Sequence, residues 1–243
     1  MHISQSKHHC LILVITVFAL AQPLYAKKRI PPGGHLAVVV DERLSALRVA
    51  PHLRAKLIER LSRGRLVSIR GQRSSADGLL FFRVALSRST TGWVQSEALV
   101  VPWRRGDDRR LLNLIETSDE FDRILRAKTF LDLFPRSVLA PRVLLLYASE
   151  AEAVAEKLSK DAQRRFAKND LPTDGAPEFS YYLNYSGLDR YNRAGVSFLF
   201  DPAVKRFSYD GAAWREILRR FPKSVEAVEA RKRLDGLARL RKE

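Results

Sequence analysis

The densest group of residues suited to recognition lies late in the chain. Tyr182, Tyr185, Asp189, Arg190 and Tyr191 fall within one short stretch, Phe179-Ser-Tyr-Tyr-Leu-Asn-Tyr-Ser-Gly-Leu-Asp-Arg-Tyr191. Tyrosine gives contact area at low entropic cost and carries a polar tip, so these five could surround a pocket. The same aromatics could instead pack an inserted hairpin against helices, and spacing alone leaves both readings open. A second group lies in the first half. Trp93, in Thr91-Gly92-Trp93-Val94, could stack on a ligand or fill a core. Phe82 could share such a groove, and Arg48 could meet a carboxylate or stand in solvent.

Residues for covalent or metal chemistry are scarce. The single cysteine is Cys10, and no histidine follows His52. That removes Cys-His nucleophilic sites and histidine-rich zinc sites from the body of the chain. No Gly-rich phosphate loop is present. No metal or cofactor is expected. Paired carboxylates leave no trace in sequence, so glycoside hydrolysis stays as the alternative to a binding role.

The elements that must position these residues follow from the order of apolar runs. Lys7 precedes Cys10–Ala21, which is apolar except for Thr16; Gln22-Pro23 and Leu24-Tyr25-Ala26 follow. This is the pattern of a secretory signal over residues 1–26, with cleavage between Ala26 and Lys27. The run is too short for a span of about 20 residues, so no transmembrane anchor is expected. Cys10 precedes most of the run, which argues against lipidation. Export to the periplasm or beyond changes the meaning of the charge. With 43 Lys+Arg against 27 Asp+Glu the net charge is +16. Outside the inner membrane the acidic partners are envelope polymers and lipid head groups, and nucleic acid is not expected. Arginine outnumbers lysine; this suits bidentate binding of carboxylate or phosphate, but codon bias in a GC-rich genome is the favoured reading.

Residues 34–102 read as short strands separated by turns: His35–Val40, Arg65–Arg70, Leu80–Leu86 and a strand opened by Gly92-Trp93-Val94. Their landmarks occur in a recognisable order. Leu44-Ser-Ala-Leu-Arg48 is followed by Pro51, Gly64 by Val67 and Ile69, then Phe82-Arg83-Val84, Thr91-Gly92-Trp93-Val94 and Ala98-Leu99-Val100. This series resembles the bacterial SH3-like (SH3b) domain. The resemblance implies a small β-barrel that binds a cell-wall peptide or a protein partner. Ala46-Leu47 and Ala50-Pro51 depart from the family's Asn-Val and Gly-Pro, at the loop that shapes its groove.

After Pro102 the periodicity becomes helical. Trp103–Asp108 reads as a charged linker. Thr117-Ser118-Asp119-Glu120 has the form of a capping box. A long helix is predicted over about 138–167, with Pro141 in its first turn, close packing at Ala151, Ala153 and Ala155, and a break near Ser149. One pattern then occurs twice. Phe134-Pro135-Arg136-Ser137-Val138-x-Ala140 returns as Phe221-Pro222-Lys223-Ser224-Val225-x-Ala227. In each copy phenylalanine seals a corner, proline stops a helix and serine can cap the next. This is similar to the corner of tetratricopeptide-like repeats of envelope proteins, although their period is about 34 residues. Between the copies, at about 169–211, sits an insertion in which Val196, Phe198 and Phe200 alternate and Phe207 and Tyr209 alternate back, as in a β-hairpin.

The sequence therefore predicts a multi-domain chain. A signal at 1–26 precedes an SH3-like β-barrel at 34–102, followed by a mainly α-helical, tetratricopeptide-like region at 107–243 with a hairpin insertion. The function it predicts is exported and non-enzymatic: the barrel holds a cell-wall peptide or an envelope protein, acidic envelope polymers are further partners, and the helices dock a protein. The alternative is a carboxylate-based wall hydrolase or its accessory subunit.

Overall fold

The computed structural model describes residues 33–166 and 176–240, so the signal sequence, its Ala26/Lys27 junction and the start of the insertion lie outside the described residues. Seven strands come first: β1 His35–Val39, β2 Ala46–Arg48, β3 Leu57–Arg60, β4 Leu66–Ser74, β5 Leu80–Ala85, β6 Thr91–Gln95 and β7 Leu99–Val100. They form one antiparallel sheet in the order β3-β2-β6-β5-β4-β1-β7. Alternation puts Val67, Ile69, Phe82, Val84 and Val94 on one face, where they share a core with Leu47 from one end of the sheet and Leu99 from the other. The sheet therefore curls around its own apolar face.

The expected barrel is corrected here: the sheet does not close. Its edges are β3, exposed along its whole length, and β7, only two residues long. The outward groups at the β7 edge are already occupied. Asp107 accepts the Val101 N–H at 2.7 Å, and Arg104 Nη2 donates to the Leu99 carbonyl at 2.9 Å. Arg110 donates to the same carbonyl. A strand edge whose hydrogen-bonding groups are taken by side chains offers no ladder to a closing strand.

These same residues start the helical half. The predicted linker is a tight turn: the Arg104 N–H reaches the Val101 carbonyl at 3.2 Å, and Gly106 at φ 85° leads into α1, Asp107–Glu116. Asp107 is 3% exposed and also accepts from Arg104 Nε at 2.8 Å and Arg110 Nε at 3.4 Å. Val40 and Val100 pack into the helical core rather than the sheet's own. Arg126 donates to the Val40 carbonyl at 3.4 Å, and Arg63 pairs with Asp122, so sheet and helices share one continuous junction.

The helices are α2 Glu120–Leu133, α3 Ala140–Phe166, α4 Glu178–Leu183, α5 Ser186–Arg193, α6 Ala212–Arg220 and α7 Glu226–Leu240; the hairpin β8 Phe198–Asp201 and β9 Arg206–Tyr209 precedes α6. The predicted hairpin is present, with Phe198 opposite Tyr209 and Phe200 opposite Phe207. The long helix α3 runs unbroken past Ser149. Ala151 and Ala155 are buried in it and Ala153 is exposed. Ser159 on α3 accepts from the Phe207 N–H at 2.7 Å and docks β9 on the helix.

Two local expectations at helix starts are revised. The capping box does not form. Glu120 sits at φ 46°, and its N–H is taken at 2.7 Å by Glu150 of α3, whose other oxygen pairs with Arg123 at 2.6 Å. A tertiary carboxylate thus does the work of the local hydroxyl. The two Phe-Pro corners do match in backbone: Phe134 lies at φ −123°, ψ 51° and Phe221 at φ −130°, ψ 49°. They lie side by side, since Arg220 donates to the Pro135 carbonyl. Their serines differ. Ser137 Oγ accepts the Leu139 N–H at 3.2 Å, whereas Ser224 Oγ is buried without a hydrogen-bond partner.

Two stability results are expected. Asp107→Ala leaves two guanidiniums and a buried N–H without their acceptor, and should cost about 3–5 kcal/mol in urea unfolding. A loss below about 1 kcal/mol would show that the junction does not depend on this carboxylate. Ser137→Ala should cost about 1 kcal/mol, while Ser224→Ala should be neutral or stabilising. Equal losses at the two serines would contradict the difference between the corners.

Candidate binding face of the sheet

Strand register decides which of the predicted residues meet. Arg48 on β2 is the partner of Trp93 on β6, and Trp93 is in turn the partner of Arg83 on β5. Paired residues share a face, so an indole lies between two guanidiniums. Beyond them the row ends in Leu57, exposed and opposite Arg48, and in Gly71, opposite Arg83. Trp93 is half-buried and Arg83 exposed. Phe81, on the same face as Arg83, is buried in register between Arg73 and Gln95.

The two flanking arginines are held differently. Arg48 donates to the Ala55 carbonyl at 2.8 Å, which pins its head to the loop that follows β2. Among the described residues, the side chains of Arg83 and Arg73 have no hydrogen-bond or ion-pair partner. The row Leu57–Arg48–Trp93–Arg83–Gly71 holds no carboxylate. The face is therefore a positively charged platform around an aromatic ring. Such a platform can stack a planar or apolar group and hold a carboxylate or phosphate bidentately.

Phe82 belongs elsewhere. It points to the opposite face and is 2% exposed in the sheet's core, where the Arg104 guanidinium lies 5.6 Å from its ring centre. The late tyrosine group also divides. Tyr182 and Tyr191 are buried in the helical core, Tyr182 stacked on Phe200 at 4.8 Å and Tyr191 edge-on to Phe121 at 5.4 Å and to Phe198 at 5.7 Å. Burial pushes both phenols above their ordinary pKa. Arg190 lies over Phe121 and Tyr191 and donates to the Tyr191 hydroxyl at 3.0 Å, fastening α5 to the start of α2. Tyr185 is half-buried beneath Arg165, and Asp189 is exposed on α5. For Tyr182 and Tyr191 the packing alternative is the one the structure shows, while Arg190 stays exposed on α5.

Sequence reasoning passed over Arg83, Arg73 and Leu57. The alternation in Phe81-Phe82-Arg83-Val84 places Arg83 opposite the core, but only the β5–β6 register puts it beside Trp93. The chain matches none of the family models, curated proteins or solved structures with which it was compared.

The charge around the exposed indoles can be measured by collisional quenching. Iodide should quench tryptophan emission far more efficiently than caesium, because the anion is concentrated at the arginine face. Trp93→Phe should remove part of the iodide effect, and buried Trp214 should contribute none. Equal quenching by the two ions would mean that the face is not electropositive.

Proposed function

We propose that this chain is an exported, non-enzymatic binding protein of the cell envelope. Its curled sheet is of the SH3-like kind and holds an acidic wall peptide, or an acidic segment of an envelope protein, on the Arg48–Trp93–Arg83 row. Its helical region is tetratricopeptide-like and docks a protein partner. The observation that carries this reading is the in-register placement of an indole between two guanidiniums, one of them free of any partner among the described residues.

Further support comes from several sources. The landmarks that resemble the SH3-like family fall on strands: Phe82-Arg83-Val84 on β5, Gly92-Trp93-Val94 on β6 and Leu99-Val100 as β7. The matching backbone of the two Phe-Pro corners supports a duplicated helical unit. Export rests on the signal-like residues 1–26. An acidic peptide fits the row because its carboxylates would pair with guanidinium forks while its side chains lie across the indole.

The test is co-sedimentation with purified peptidoglycan at low salt and at about 0.5 M salt, where surface charge is strongly screened. Wild-type binding should survive the salt. Folded Trp93→Ala should bind at least about tenfold more weakly, the factor carried by about 1.4 kcal/mol of lost stacking. Binding erased by salt in both proteins would reduce the interaction to adsorption of a basic protein on an acidic polymer. Soluble wall fragments released by the wild type would establish hydrolysis instead.

A further inference from the structure

The two edges of the sheet are finished differently. At β7 the outward groups are taken by Asp107, Arg104 and Arg110. At β3 nothing takes them among the described residues: β2 is its one strand neighbour there, and every residue of β3 is exposed. Leu61 donates its N–H to the Ser45 carbonyl at 3.1 Å, which turns the Leu61 backbone toward β2. Alternation along an antiparallel strand then turns the N–H and carbonyl of Arg60 outward. No proline interrupts Leu57–Arg60. A strand edge in this state is a template for one more strand.

The hairpin that carries β3 also exposes apolar side chains. Val49, Leu53, Leu57 and Ile58 are each between 43% and 56% exposed. The Val49 N–H reaches the Lys56 carbonyl at 3.1 Å, so Val49 lies against the start of β3. The loop between them is fixed. The Ala55 N–H is bonded to the His52 carbonyl at 3.1 Å, and Arg48 Nη1 holds the Ala55 carbonyl at 2.8 Å. Docking on this hairpin therefore costs little in further ordering of the chain.

Charge selects the occupant. Arg54, Lys56 and Arg60 stand on this hairpin against a single acid, Glu59. The Arg54 and Lys56 side chains have no hydrogen-bond or ion-pair partner among the described residues. A second copy is a poor neighbour for such a strand. The registers that centre a copy on the end of β3 set Arg60 opposite Arg60 or Glu59 opposite Glu59, and like charges directly opposite destabilise a pair. The net charge of +16 adds to the repulsion. An acidic strand avoids both problems. Its backbone completes the β3 ladder, its carboxylates meet Lys56 and Arg60, and its apolar side chains lie on Leu57 and Ile58. We propose that the β3 edge takes an extended acidic segment of a partner protein as an added strand of the sheet. The inference goes beyond the reading above, because the segment is held through its backbone at the edge and not across the Arg48–Trp93–Arg83 row.

The experiment is an amide NMR titration of the purified, isotope-labelled protein with a short capped peptide of alternating glutamate and valine. Saturable shifts are expected at the β3 amides, with hydrogen exchange of the Arg60 N–H slowed by about tenfold or more at saturation. The same peptide methylated at every backbone nitrogen keeps its charge and side chains but cannot donate to a ladder. It should bind at least about tenfold more weakly. Lys56→Glu and Ile58→Asp, each checked for folding by circular dichroism, should both weaken the unmodified peptide several-fold. Equal binding of the methylated peptide would reduce the interaction to charge and overturn the proposal. No saturable shift up to about 2 mM peptide would also overturn it. A peptide that Trp93→Ala loses and Ile58→Asp keeps would lie on the row and overturn the edge assignment. A dimer of the free protein that Ile58→Asp abolishes would assign the edge to a second copy, with the same consequence. Loss of peptidoglycan co-sedimentation with this titration intact would count against the row alone. Retained co-sedimentation with no β3 shift would count against the edge alone.

Discussion

The arrangement of this protein hangs on one buried carboxylate. Asp107 is the first residue of α1 and the acceptor for the last strand's edge, and it holds Arg104 and Arg110 against the Leu99 carbonyl. Burial draws the Arg110 pKa down from its ordinary value while the Asp107 charge opposes that shift, so each ion is tolerable inside only because of the other. Three consequences follow from this cluster. The β7 edge is blocked, so the sheet curls without closing. The first helix starts at a fixed angle to the sheet. The turn between them is rigid, and Trp103 is carried on it.

The helical half depends on comparable long-range substitutions. Glu150 supplies from α3 the acceptor that the start of α2 needs, and Ser159 supplies from α3 both a donor and an acceptor to Phe207 of the hairpin. Helix α3 is thus the spine on which α2, β9 and α6 are mounted. Small residues along it, Ala148, Ala151, Ala155 and Ala162, are buried and let those neighbours approach. Tyr182, Tyr191 and Phe200 then fill the space between the hairpin, α4, α5 and the spine, where the polar tip of Tyr191 is met by Arg190. Tyrosines suited to recognition are here largely spent on packing.

Arginine has two distinct uses in the molecule. Arg104, Arg110, Arg123 and Arg126 are structural: each reaches a backbone carbonyl at or near the junction of sheet and helices. Arg83 and Arg73 stand on the open face without such duties. A high arginine content alone cannot separate these uses. The separation comes from whether a carbonyl or carboxylate is within reach, and that is a property of the fold.

The sequence by itself determined the local elements. Alternating valines and aromatics define the strands. The Phe-Pro pairs end the helices at both corners, because proline cannot continue a helix and phenylalanine seals the turn. The Val196–Tyr209 alternation defines the hairpin. These features are set by neighbours a few residues away, which a sequence displays directly. Tertiary structure alone decided the rest. It left the sheet open, replaced the Thr117–Glu120 box with Glu150, buried Phe82, Tyr182 and Tyr191, and set Arg83 beside Trp93. In each case the deciding partner lies on another element, and periodicity records that a side chain has a face without recording what lies opposite it.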